Sequence, residues 1–459
     1  RIQYNYQDKY LISAAIRSDG SSRFGTNHKW GTFSSASAAW RMTEEPFMKN
    51  LSFLNDMKLR ASYGITGNFN IPNYGALGAV GYNGYVLNGV VVNGAAPTDI
   101  PNPDLGWEKT AQVNLGLDFK CFNNRFHGTV DVYNSNTKDL LLNVPVPTTS
   151  GYKTQLQNVG EVNNKGIELS LGTTQTFGKF TWTVDANFSK NRNKVVALGP
   201  GNADIIQTGS VGNAYFLTRV GESIGSYYLP VVIGIFKDQA DIDAHPQNAY
   251  VDPTPSNYGL NSSHPGDFKF ANVDGDNKFD PTKDRAIVGN YMPKFTYGLS
   301  TSLSWNGFDL GVVLQGVYGN KILNLARRYF FNHEGNMNNY AAAVNRWESS
   351  DNIGSGMDVR ANRVSKGNNG ITSTWHIEDG SYLRFKNISL GYTLPTKWLK
   401  SARISSVKVY VSCQDPFTIT KYSGYNPEVS NRSSVTTNGE DYGVYPTAKT
   451  NSIGLNLTF

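Results

Sequence analysis

The sequence predicts an all-β protein, a transmembrane antiparallel β-barrel, and three observations carry that prediction. Stretch after stretch alternates apolar with small or polar residues, aromatic residues stand at both ends of the apolar faces, and tight turns alternate with long connections. All three belong to the outer-membrane barrel plan, in which strands of about ten residues show one face to lipid and the other to a lumen.

The alternation starts early. Runs with a period of two begin near Tyr10, Trp30, Met57, Phe126, Ile167, Phe308, Tyr382 and Val407. "WEKTAQVNLGLDF" sets Trp107, Ala111, Val113, Leu115, Leu117 and Phe119 on one face against Glu108, Thr110, Gln112, Asn114, Gly116 and Asp118 on the other. "FTWTVDANF" and "FTYGLSTSLSW" repeat the pattern from Phe180 and Phe295, and the C-terminal run places Ile453, Leu455, Leu457 and Phe459 on one face. Because successive side chains of a strand point to opposite faces, each run has one apolar and one polar face. Roughly 13 to 14 segments have the length of a transmembrane strand, and amphipathic helical periodicity is nearly absent. In a closed barrel the last strand pairs with the first, which leaves no open edge.

A soluble sandwich also alternates, but its outer face meets bulk water and carries many charges. Here the polar face carries mainly Gly, Ser, Thr and Asn, and charged residues make up only 17% of the chain, against about a quarter in ordinary soluble domains. That face has the character of a lumen. Trp30 and Trp40 share a face and lie 40 − 30 = 10 residues apart. At about 3.3 Å per residue and a tilt of roughly 40°, they span about 25 Å, the height of the apolar band between aromatic girdles.

Connections follow the same plan. "CFNNRF" and "SWNGFDL" are tight Asn/Gly turns. The segments around 69–106, 195–214, 237–293, 320–380 and 422–450 are long, as extracellular loops are.

Several function classes are disfavoured. The longest apolar stretch, Tyr227 to Phe236, contains Pro230 and is about half the length of a membrane-spanning helix. A net charge of +6 is spread over 459 residues without a basic run able to track a phosphate backbone, so nucleic acid is not an expected partner. Cys121 and Cys413 make neither a disulfide framework nor a metal cluster. No nucleophile motif or phosphate-binding glycine loop appears, and His333 with Glu334 lacks the second histidine of a zinc-protease helix, so enzyme activity is not expected.

The residues carry a resemblance as well. "YNYQDKYLISAAIRSDGSSRFGTNHKWGTFSSASAAWRMTEEPFMK", "MKLRASYGITGN", "DLLLNVPVPTTSGY", "QNVGEVNNKGIELSL", "PKFTYGLSTSLSWNGFDL", "SYLRFKNISLGYTLP" and "DYGVYPTAKTNSIGLNLTF" resemble the SusC/RagA family of TonB-dependent outer-membrane transporters, in that family's order and over nearly the whole chain. The resemblance implies a barrel of about 22 strands, of which this chain supplies the C-terminal part. The plug domain, the TonB-binding segment and the first barrel strands are then expected outside this sequence. The resemblance also implies energy-driven import of large nutrients, glycan oligosaccharides or in some members peptides. A SusD-like surface lipoprotein would serve as lid, the inner-membrane TonB complex would pull the plug, and two transporter–lid units would pair. The competing expectation is a barrel that only anchors surface loops, as an adhesin or scaffold does. A soluble sugar-binding β-protein is a third.

Two candidate sites stand out, and no cofactor is required by either fold or function. In "FANVDGDNKFDPTKDR", Asn272, Asp274, Asp276 and Asp280 fall at positions one, three, five and nine of a calcium loop, with the Lys278 carbonyl at seven. Asn277 replaces the expected glycine and Asp284 comes one place after the expected acidic residue, so an Asx-rich turn is the other reading. A structural Ca²⁺ in loop 272–284 is the expectation to examine. The second candidate is a Gly/Asn-rich loop containing Tyr74, Tyr82 and Tyr85, whose rings suit stacking on a sugar face or contact with the lid.

Overall fold

The computed structural model describes residues 1–152, 154–210, 214–253, 262–331, 333–334, 338–362, 370–399, 404–429, 434 and 436–459. Thirteen strands form one sheet. They are β1 (Ile2–Tyr6), β2 (Tyr10–Gly20), β3 (Trp30–Arg41), β4 (Leu54–Asn68), β5 (Glu108–Cys121), β6 (Phe126–Lys138), β7 (Glu161–Phe177), β8 (Phe180–Ala197), β9 (Phe295–Trp305), β10 (Phe308–Tyr318), β11 (Tyr382–Thr393), β12 (Ser406–Thr420) and β13 (Thr450–Thr458). Their order in the sheet is their order in the chain, and each pairs antiparallel with the next. This is an up-and-down meander. Within the chain, β13 pairs with β12 and β1 with β2, so the two ends of the sheet do not meet.

Register follows from the alternation, because a slip by one residue would turn every apolar side chain to the wrong face. One face exposes Ile12, Ile16, Leu59, Tyr63, Val113, Leu115, Val132, Leu171, Leu390, Val411 and Leu455. Among the described residues, no helix is long and apolar enough to cross a membrane. The exposed apolar face is the surface a strand-built membrane protein turns to lipid, where its exposure has no cost.

Aromatic pairs mark both ends of this face. At the end with tight turns, Phe122 contacts both Phe53 and Phe126 with centroids 5.9 Å apart in each pair, and Phe308 meets Tyr392 at 4.5 Å. At the other end, Phe295 packs on Phe188 at 5.4 Å and on Tyr318 at 4.9 Å.

The connections alternate without exception among the described strands. Segments 7–9, 42–53, 122–125, 178–179, 306–307 and 394–405 lie at one end, and 21–29, 69–107, 139–160, 198–294, 319–381 and 421–449 at the other. Asn306 at φ 50° and Gly307 at φ 87° give β9–β10 the left-handed two-residue turn that matches strand twist.

Three expectations need adjustment. The segments 195–214 and 237–293 belong to one excursion, 198–294, because the apolar run between them folds as short strands Tyr215–Thr218, Ser226–Leu229 and Val232–Ile235 rather than crossing the sheet. Segment 139–160 is a further long connection, built on a Leu141–Pro145 and Thr154–Asn158 hairpin. Trp107, placed by periodicity on the lipid face, is buried with Phe24, Phe33, Ile71 and Leu105, because it precedes β5 and turns into the loop core. Gly67 makes room for this packing, since a Cβ there would come 2.1 Å from the Phe33 ring.

The long connections pack together. Ile205–Thr208, Tyr215–Thr218, Ser226–Leu229 and Ala286–Gly289 make one four-stranded sheet. Lys321–Asn324 joins Ile377–Asp379 and Glu440–Asp441 in another. Buried clusters fill the space between, one around Phe216, Tyr227, Leu229, Leu323 and Leu325 and one around Phe268, Phe270, Phe279, Val359 and Trp375. The cap therefore has hydrophobic cores of its own.

Candidate functional site: the lumen and its outer vestibule

The inward face of the wall is polar and ordered by charge pairing. Arg60 on β4 donates from Nε and Nη2 to Asp118 on β5 at 2.9 and 2.8 Å, and from Nη2 to Asp131 on β6 at 3.1 Å. Lys58 adds a 2.9 Å ion pair to Asp118, and Asn114 donates to Asp131 at 2.8 Å. These side chains meet because β4, β5 and β6 are neighbours and Gly116 lies between them; a Cβ there would come 2.5 Å from the Asp131 carboxylate. Further round the wall, Lys408 on β12 pairs with Asp309 on β10 at 2.8 Å across Gly391 on β11. A lumen lined by paired charges, Asn, Ser and Thr presents hydrogen-bonding groups to a polar solute without a strong net field.

At the cap end the loops are tied to the wall and to each other. Arg384 on β11, only 2% exposed, donates to Thr418 at 2.8 Å, to Asn426 at 2.8 Å and to Glu428 at 2.5 Å. Tyr382 also donates to Glu428, at 2.9 Å. Glu440 accepts from the Ser210 backbone and hydroxyl, the latter at 2.7 Å, which joins two loops 230 residues apart. Tyr422 donates to Asp441, and burial raises its pKa well above the usual phenol value. His376, fully buried beside Arg327 and Arg328, is lowered to about 3 and so stays neutral at physiological pH.

The two candidate sites lie in this cap. Val80–Leu87 and Val90–Pro97 pair as a two-stranded hairpin, with Tyr82 opposite Ala95 and Tyr85 opposite Val92. The hairpin exposes Tyr82 at 93% and Tyr85 at 58%, and Tyr74 just before it is exposed at 75%. Val80, Val86, Val90 and Val91 are exposed beside them.

In the Asp-rich loop the side chains serve the main chain. The Asn272 amide oxygen accepts from Gly275 N at 2.7 Å, Asp274 from Asp276 N at 3.1 Å, and Asp276 from Lys278 N at 3.0 Å. Asp280 accepts from both groups of Thr282, which holds its pKa below the usual carboxylate value. Asp284, fully buried, accepts from the backbone N–H groups of Val273 at 2.6 Å, Asp274 at 3.2 Å and Asp280 at 2.7 Å. The result is a ladder of Asx turns closed by one carboxylate. Lys278 caps one turn through its N–H. Among the described residues, no group of three or more His, Cys, Asp or Glu side chains is placed to hold a metal.

Asp284→Ala should therefore loosen this turn, because three backbone N–H groups lose the one buried carboxylate that accepts from them. The expected cost is about 2–4 kcal/mol of local stability. It is measured as faster proteolysis within 272–284 while the barrel strands stay protected.

His333 and Glu334 lie in the cap, where burial lowers the His333 pKa. Cys121 and Cys413 are free thiols on β5 and β12. Sequence reading missed the Arg60 and Arg384 clusters. The cue for the first is a charge at the polar parity of three strands, but their adjacency is visible only once the strands are paired.

Comparison with known proteins agrees with this architecture. Residues 1–414 match the family described as TonB dependent receptor-like, beta-barrel. The chain is similar to TonB-dependent receptor P3 of Formosa agariphila, at 37% identity over 100% of the chain and 45% of that protein. It is similar to TonB-dependent receptor SusC of Bacteroides thetaiotaomicron at 30% identity, over 100% of the chain and 43% of SusC. Among solved structures, the RagAB peptide transporter superposes with a TM-score of 0.79 at 28% identity, covering 100% of the chain and 46% of that one. The chain thus spans less than half the length of these relatives. With its meander of amphipathic strands, its two aromatic rims and its folded loop cap, the chain belongs to the TonB-dependent receptor β-barrel family of the bacterial outer membrane and is of the SusC/RagA type.

Proposed function

We propose that the protein containing this chain imports large polar nutrients across the outer membrane, driven by TonB, with a SusD-like surface lipoprotein closing over the cap. The observation that supports this most is the division of one sheet between a lipid face and a charge-paired lumen, with a folded cap at one end.

The substrate class we favour is an oligosaccharide, with peptides second. Tyr74, Tyr82 and Tyr85 offer exposed rings for the apolar faces of sugars, and Asn83 lies between two of them in the hairpin. The same rings and valines suit contact with the lid, and the pairing of two transporter–lid units is part of the same proposal. Replacing all three tyrosines by alanine should lower uptake of the native substrate by about tenfold or more, at about 1 kcal/mol per lost ring contact. Unchanged uptake at equal barrel abundance would remove the hairpin from both roles.

The proposal as a whole is tested by deleting the gene and supplying a panel of labelled oligosaccharides and peptides. Loss of uptake for one class, with co-extraction of a surface lipoprotein by the native protein, is the expected result. Uptake of every class at wild-type rates would overturn it.

A further inference from the structure

We infer that the lipid-facing wall of β7 and β8 carries a binding site for the phosphate-bearing headgroup of an outer-leaflet lipid, built by Lys165, Lys190 and Arg192. The strand register places these cations. Leu115, Val132, Ile167 and Lys190 are successive cross-strand partners on β5 to β8, so Lys190 stands in a row with three lipid-facing apolar residues. The next row toward the cap is Val113, Asn134, Lys165 and Arg192.

All three cations are exposed, and they share a groove of about 530 Å³ with Val113, Leu115, Val132 and Ile167. Phe295 on β9 is the aromatic residue beside this level, since Ser189 pairs with Thr296 and the Phe295 ring contacts Phe188. The cations thus begin where the apolar band ends, at headgroup depth.

Position alone would fit a generic snorkelling lysine. Charge placement indicates more. Lys165 and Arg192 face each other directly across β7 and β8. Like charges in that arrangement destabilise a sheet. One strand pair further, Lys109 on β5 faces Lys138 on β6, and Lys138 is offset by Glu161 at 3.7 Å. Among the described residues, Lys165, Lys190 and Arg192 have no such acidic neighbour.

A phosphate held between them would offset the repulsion and take charge-assisted hydrogen bonds from all three, with Arg192 able to bind two oxygens at once. The acyl chains of the same lipid would lie on Val113, Leu115, Val132 and Ile167. This combination of anionic head and apolar tail is what selects a lipid over free phosphate.

The test is native mass spectrometry of the detergent-extracted protein with its partners, titrated with bisphosphorylated lipid A or with the same lipid after removal of its phosphates. The wild type should retain the phosphorylated lipid. Lys165→Gln/Lys190→Gln/Arg192→Gln should lower that retention by on the order of tenfold to a hundredfold. Lys165→Arg/Lys190→Arg should preserve it, and Arg17→Gln, on the opposite face of the wall, should not alter it. If the triple variant fails to assemble, Lys165→Gln and Lys190→Gln singly should each give part of the loss. Equal retention of the dephosphorylated lipid, unchanged retention in the neutral variants, or displacement by millimolar inorganic phosphate would each overturn the inference.

Discussion

Tyr227→Ala melts the loop cap while leaving the barrel wall in place. Tyr227 is fully buried among Phe216, Leu229, Leu323 and Leu325, with the Phe216 ring 5.5 Å away. Removing a buried aromatic ring costs about 3–5 kcal/mol. The hydroxyl adds to this, because it lies 3.0 Å from the carbonyl oxygens of both Lys321 and Gly439 and so joins loops from three regions of the chain. Gly439 is fitted to that contact; its φ is 86° and a Cβ would stand 2.2 Å from the hydroxyl. Hydrogen-exchange protection in 205–229, 321–325 and 439–441 should fall more than about a hundredfold. Tyr227→Phe, which keeps the ring, should lose only about 1–2 kcal/mol. Equal losses in the two variants would show that the ring is not what holds the cap.

Arg384→Ala should have an effect of similar size at the junction of cap and wall. The guanidinium is 2% exposed, and Glu428, its ion-pair partner, is half-buried beside Lys386 at 3.6 Å. Removing one partner of a buried pair costs about 3–5 kcal/mol, largely through the charge left behind. Here Lys386 retains part of the compensation, which places the expectation near the lower end. The double variant Arg384→Met/Glu428→Gln should recover part of the loss, since it removes both charges together. Thermal release of segment 421–449 to protease reports both variants. A double variant worse than the single would contradict this account of the junction.

Much of the wall is legible in the sequence because two solvents dictate it. A strand between lipid and lumen must alternate, so the runs beginning at Tyr10, Trp30, Phe126, Phe308 and Tyr382 mark strands that start at those residues. The turn at Asn306 and Gly307 is equally local. The cap is harder to read because its short strands bury both faces against other loops. Tyr227 to Phe236 is apolar like a wall segment, and only its partners in 268–270 and 286–289 show that it belongs elsewhere.

The Asp-rich loop shows a different limit. Calcium loops and Asx ladders require the same residue types at the same short spacing, and both are ordered by backbone N–H groups. Here they point at Asn272, Asp274, Asp276, Asp280 and Asp284. The cations on β7 and β8 left a signal that parity could have revealed. Lys165 shares its parity with Ile167 and Lys190 with Phe188, so both stand on the lipid face, but their assembly into one patch depends on register.

The most direct test of the central proposal is uptake of a labelled nutrient by intact cells before and after an uncoupler collapses the proton-motive force. The account predicts that uptake falls to the level of cells lacking the protein. Uptake that continues at the same rate without the gradient would contradict TonB-driven import and leave a passive pore or a surface anchor in its place.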